Sequence, residues 1–282
     1  MPETKHLLER MPLVNAPLKT PPLDPLRAGM PAADSIQTTM SFQSPKGQTY
    51  QILRTTEADA YETKGPAPRV AKLLQTKGTI SAAALMAAKK AAPTGDNYNG
   101  TDREASKLSK SNAQVEEFAD LKDLIESLPQ ESVMANHKPK ISKLATSGRV
   151  KEEQRNVKVK AFLYASSKEA DNDFHMIIGR DPSETPEMYM TMEISGVPPQ
   201  NNAKFDFADL NNARNSFKNF FGAAKLPQAH YDFYHPPIPV EVEGSIFWDA
   251  THSTGQRPGP ASLKSRMPVI WEVHPVTSIS LG

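Results

Sequence analysis

Glu272 and His274 stand two residues apart in "VIWEVHPVTSIS", and Asp173 and His175 repeat that spacing in "DNDFHMIIG". A carboxylate beside an imidazole can orient it as a general base, or can share with it a metal site of mixed oxygen and nitrogen ligands. On a strand, a spacing of two puts both side chains on one face. Glu193 in "EMYMTMEIS" and the pair Asp249 and His252 in "FWDATHSTG" add donors of the same kinds. The candidate catalytic set is therefore His175, Glu193, Glu272 and His274, with Tyr164, Tyr189, Asp249 and His252 as ligand-binding candidates beside it. The imidazoles of His175, His252 and His274 are those a divalent metal would use, and the sequence points to no other cofactor. Acids and imidazoles on strand exteriors also serve as plain cross-strand pairs or loop supports, so residue type alone leaves both readings open.

Several chemistries are excluded. With no cysteine among 282 residues, a disulfide scaffold, a thiolate nucleophile and a Cys-ligated zinc or iron–sulfur site are ruled out. No stretch matches HExxH, a Walker loop, GxSxG or the kinase motifs. Net charge is +1, and residues 151 to 282 carry 13 Lys+Arg against 16 Asp+Glu, which disfavours a nucleic-acid groove.

The elements that would hold these residues lie after Arg155, where hydrophobicity alternates with a period of two. "NVKVKAFLYA", "DFHMIIG" and "EMYMTMEIS" read as strands, "FADLNNARNSFKNFF" as a helix, and "IPVEVEGSIFWD" and "VIWEVHPVTSIS" as two further strands. The order β-β-β-α-β-β predicts an OB-like five-stranded barrel over residues 156–282, so the chain is expected to be mainly β in its C-terminal half. Alternation places Phe174, Met176, Met190, Met192, Val242, Trp248, Trp271 and Val273 inside the barrel. His175, Glu193, Glu272 and His274 then gather on its exterior.

The N-terminal half reads differently. Ten of the 25 prolines fall in residues 1–70, which predicts an extended Pro-rich arm. Residues 71–137 are expected to hold two helices, one in the Ala-rich "TISAAALMAAKKAA" and one through "REASKLSKSNAQVEEFADLKDLIESL", where Val115, Phe118, Leu121, Ile125 and Leu128 fall at helical spacing. Residues 138–155 read as a basic, solvated linker. No apolar run approaches the roughly 20 residues that span a bilayer, and the N-terminus lacks the apolar core of a secretory signal. These features predict a soluble, cytoplasmic chain with no membrane contact, and leave export by a non-classical route open.

The blocks "DNDFHMIIGRDP", "EGSIFWDATH" and "WEVHPVTSI" together resemble an uncharacterised bacterial domain family with the pattern D-x-D-x-H, then G-x-x-F-[FW]-D-x-x-H, then [WI]-E-[IL]-H-P-V. The resemblance spans about residues 155–281 and carries the family's recurrent polar positions onto Asp173, His175, Glu193, Asp249, His252, Glu272 and His274. A cysteine frequent at one strand end of the family is missing from "EISGVPP". The family brings no settled activity.

Two functions follow as expectations. One is a non-catalytic binding or assembly protein, its barrel head docked through residues 1–130 onto a larger protein assembly or a second copy. The other is a metal-dependent hydrolase, a phosphodiesterase, nuclease or toxin-like effector, using the His/carboxylate cluster.

Overall fold

The computed structural model describes residues 28–59, 95–250, 252 and 257–282. Its strands are β1 (Ile36–Gln43), β2 (Thr49–Thr55), β3 (Val115–Phe118), β4 (Asn156–Lys168), β5 (Phe174–Gly179), β6 (Tyr189–Ile194), β7 (Asp232–Trp248) and β8 (Trp271–Leu281). Its helices are α1 (Glu104–Lys107), α2 (Leu121–Ser127), α3 (Glu131–Ala135) and α4 (Phe207–Phe221). The strands form one mixed sheet in the order β1-β2-β7-β8-β6-β5-β4-β3, and a further pairing between β7 and β4 bends five of them into a partial ring. Within that ring β6 and β8 meet over a short parallel ladder, Thr191 with Glu272 and Met192 with Val273. The other four joins are antiparallel.

The alternation expected from the sequence is what fills the ring. Val157, Val159, Met176, Met190, Met192, Val242, Ile246, Trp248, Trp271 and Val273 belong to one buried apolar cluster. Helix α4 covers part of it because Leu210, Ala213, Phe217, Phe220 and Phe221 recur at helical spacing and are all buried. The Phe217 ring centroid lies 4.9 Å from that of Phe174, and a phenyl ring removed from water in this way contributes about 2–3 kcal/mol.

Three parts of the N-terminal half differ from expectation. The described portion of residues 1–70 is no extended arm: β1 and β2 form a hairpin, and β2 pairs with the first half of β7. Its turn is spelled by Ser44-Pro45-Lys46-Gly47, where Gly47 takes a φ of 86° and donates its N–H to the Ser44 carbonyl. The alternation of Tyr50 and Ile52 then faces the core. The long second helix is also replaced. Residues 104–128 break into α1, the strand β3, paired in parallel with β4, and α2. Asp120 marks the true helix start, since its carboxylate accepts the Lys122 N–H as an N-cap. Finally, residues 149–155 are anchors and not a solvated linker. The Arg149 guanidinium donates to the carbonyls of Ser106, Ser109, Ile246 and His274, while Arg155 binds Glu116 and the Ser127 carbonyl. The Ala-rich segment lies outside the described residues, as do residues 1–27 of the arm.

Candidate metal centre

Strand register brings the predicted residues together. His175 on β5 pairs directly with Glu193 on β6, and the β6–β8 ladder continues from Glu272 to set His274 level with Glu193. Glu193 thus stands on the middle of three strands with an imidazole on either side. The Nδ1 of His274 is 2.8 Å from Glu193 Oε2 and 3.5 Å from Glu272 Oε2. Its Nε2 meets the Ser195 hydroxyl at 3.0 Å and Asp173 Oδ2 at 3.5 Å. On the other side, the Tyr231 hydroxyl meets His175 Nδ1 at 2.7 Å.

The face is the outer wall of the ring, as the alternation implies, but it is not exposed. His175, Glu193, Glu272 and His274 are at most 4% accessible, so the open exterior patch expected from the sequence is corrected to a buried one. The reason is the N-terminal half. Asn97 bridges to Val197, with the Tyr98 N–H bonded to the Val197 carbonyl, and α1 sends Lys107 to Glu193 at 3.7 Å and Asp171 at 3.8 Å. Gly196 allows this close lid, since a Cβ there would stand 2.6 Å from the Tyr98 Cα. The turn before β5 adds acids: Asn172 adopts a positive φ of 78°, and its amide binds the carbonyls of Gly95 and Asn97. Asp173 is fully buried and accepts the Gly196 N–H at 2.7 Å.

Burial divides the titrations. It lowers the pKa of His175 and of His274 against the pull of Glu193, so both imidazoles are neutral with a lone pair to offer. Burial, then Glu193 and Asp249, push Glu272 well above the usual carboxylate range; burial, then Asp171 and Glu193, do the same to Asp173. Burial also opposes ionisation of Glu193, but the Lys107 ammonium foremost outweighs it, and that carboxyl is held well below its usual value. His252 behaves otherwise. Burial would lower it, yet hydrogen bonds that it donates to Asp249 and Asp59 raise it to about 11, making it an imidazolium between two carboxylates. Of the three imidazoles expected to ligate a metal, His175 and His274 are thus free bases and His252 is a cation.

Several donor atoms in the cluster have no hydrogen-bond partner among the described residues: His175 Nε2, His274 Nδ1, Glu193 Oε2, Glu272 Oε2 and Asp173 Oδ2. His274 Nδ1 and Glu193 Oε2 are close without the alignment of a hydrogen bond. Buried polar atoms left this way are costly, at about 1–3 kcal/mol each, unless something else binds them. Three triads offer ligand atoms within 4.8 Å of one another: Glu169, His175 and Glu193; Asp173, Glu193 and His274; Asp249, His252 and Glu272. Beside them opens a cavity of ≈230 Å³ whose walls include Lys107, Lys143, Asp171, Glu193, Asp249 and His252. A larger cavity of ≈480 Å³ lies between β4, α2 and the end of β8, but the guanidinium on its wall, Arg180, is bound to Asp120 at 2.7 Å. Size favours the second cavity; unsatisfied ionisable groups favour the first, and chemistry depends on those groups.

The two tyrosines do not join the cluster. Tyr164 and Tyr189 pack edge to face at 4.9 Å in a separate apolar cluster with Leu53, Leu263 and Met267. Their hydroxyls donate to the Arg180 carbonyl and to Glu187, so they lie apart from the acids and imidazoles beside which they were expected. Lys107, Glu169, Asp171, Ser195 and Tyr231 were not anticipated. The acids of "KEADND" were a visible signal, whereas Lys107 lay inside a segment read as helix. No family model matches the chain, and neither does any curated protein or solved structure. Among the described residues no helix is long and apolar enough to cross a membrane.

Proposed function

We propose that this face is the divalent-metal centre of a hydrolase, with Glu193 and His274 as ligands and Asp173 or Glu272 completing the set. The carrying observation is the group of buried nitrogen and oxygen atoms without hydrogen-bond partners, drawn together by three adjacent strands. A mixed imidazole and carboxylate set suits Zn²⁺, Mn²⁺ or Fe²⁺. When bound, such an ion lowers the pKa of a water and polarises the bond to be cleaved. The chain's own residues supply the rest. Ser195 and Tyr231 fix the two imidazoles, Lys107 offers an ammonium to an anionic substrate oxygen, and the ≈230 Å³ cavity limits the reacting group to a small ester or phosphoester.

The same reading takes the partial ring as an OB-like barrel. Its support is the pairing order, the parallel β6–β8 join and the position of α4 between β6 and β7. The resemblance to the uncharacterised bacterial domain belongs to this proposal, since every polar position it names except Asp249 and His252 lies in the Glu193 cluster.

Elemental analysis of the purified full chain tests the hydrolase. We expect a stoichiometric divalent ion, its loss in His274→Ala, and cleavage of bis(p-nitrophenyl) phosphate that EDTA removes. A native chain that neither carries nor takes up metal disposes of the proposal.

A second reading keeps the ring as a non-catalytic assembly head. It draws on β1, an edge strand with Gln37, Thr38 and Thr39 exposed and no outer partner among the described residues. Its test is the edge itself: Thr38→Lys with Thr39→Lys should abolish association in size-exclusion chromatography, and retained association opposes it.

A further inference from the structure

We infer that the centre holds two divalent cations, one on each side of Glu193, with that carboxylate bridging them. The inference rests on the metal-centre reading above and adds a ligand count to it. Neighbouring strands are about 4.8 Å apart, so imidazoles on β5 and β8 flank the β6 carboxylate from opposite sides, two strand spacings from each other. The triads agree. Glu193 forms one with Glu169 and His175 and another with Asp173 and His274, and among the described residues no triad contains both imidazoles.

Each imidazole is also held as a ligand would be. The Tyr231 hydroxyl meets His175 Nδ1 and leaves Nε2 with no hydrogen-bond partner; the Ser195 hydroxyl meets His274 Nε2 and leaves Nδ1 with none. A hydrogen-bonded far nitrogen is the usual companion of a metal-bound near one. Charge points the same way. Glu169, Asp173, Glu193 and Glu272 cluster here, and the ammonium that reaches into the group is Lys107. When all four ionise, their charge less that of Lys107 is −3, which one divalent ion does not cancel, and a pair of ions roughly 3.5–4 Å apart is a recurring arrangement for hydrolysis of phosphoesters.

The test uses the EDTA-treated full chain and Mn²⁺ alone. Equilibrium dialysis should find two Mn²⁺ per chain, and low-temperature electron paramagnetic resonance should show a spin-coupled signal in place of that of an isolated ion. His175→Gln should retain one Mn²⁺ and lose the coupling. Tyr231→Phe, which keeps every ligand, should weaken one of the two affinities by about 10–100-fold and leave the other unchanged. One uncoupled Mn²⁺ in the unaltered chain overturns the bridged pair while the hydrolase proposal stands. Two coupled ions retained in His175→Gln overturn the assignment of His175. No Mn²⁺ at all overturns both proposals together.

Discussion

Two buried carboxylates, Glu153 and Glu193, are treated in opposite ways. Glu153 is fully buried and receives four donors: both terminal nitrogens of Arg103, at 2.7 and 2.6 Å, and the N–H groups of Val150 and Trp248, each at 2.9 Å. Its oxygens are saturated. Glu193 is almost as deeply buried, yet it faces an ammonium at 3.7 Å, an imidazole with which it is not aligned, and other acids. Donors leave no vacancy around Glu153, whereas Glu193 Oε2 has no hydrogen-bond partner among the described residues, which is the feature the proposed metal centre rests on.

The comparison breaks most visibly if the architectural carboxylate is removed. Glu153→Ala leaves the Arg103 guanidinium, itself 2% accessible, without its partner, and should cost about 3–5 kcal/mol in urea denaturation. A loss below about 1 kcal/mol would show that the Arg103–Glu153 pair does not hold the fold together. On the other side, removing a supporting hydroxyl should cost function and spare the fold. Ser195→Ala takes away the hydroxyl at 3.0 Å from His274 Nε2, and should weaken Mn²⁺ binding by about 10–100-fold with little change in the urea midpoint. Equal metal affinity in the two proteins would mean that His274 is held by packing alone.

This contrast was half legible in the sequence. Period-two alternation identified the ring strands and put His175, Glu193, Glu272 and His274 on one face, because a strand permits only two faces and Met176, Met192 and Val273 fixed which was the core. What alternation cannot report is a lid. The face is buried by Tyr98, Lys107 and the segment around them, and contacts between residues 98–107 and 193–197 depend on tertiary packing that no local pattern records. The helix expected through residue 115 failed for a related reason: Val115 and Phe118 fit a helical period, but hydrogen bonds to β4 outweighed that weak preference. The N-cap Asp120 and the Ser-Pro-Lys-Gly turn were readable signals of the real boundaries. The first half of β7 was hidden by Pro236 and Pro237, residues that ordinarily argue against a strand interior.

The smallest expected effect is also the one that separates the two carboxylate environments by sign. Glu272 is buried near Glu193 and Asp249, and all three influences, burial first, raise its pKa above the ordinary 4.5. The folded, metal-free chain therefore keeps a proton that the unfolded chain releases, and stability falls as pH rises above about 4.5, through the window up to the raised pKa. Glu272→Gln preserves size and removes the charge. In EDTA-treated protein it should be neutral at pH 4.5 and stabilising at pH 8, on the order of 1 kcal/mol, the scale of relieving one buried group of its desolvation cost. With Mn²⁺ present the sign should reverse, because the cation then stabilises the carboxylate that the variant lacks. Urea denaturation at the two pH values, with and without Mn²⁺, gives the four numbers needed. If Glu272→Gln destabilises the metal-free chain equally at both, Glu272 is architectural after all and belongs with Glu153.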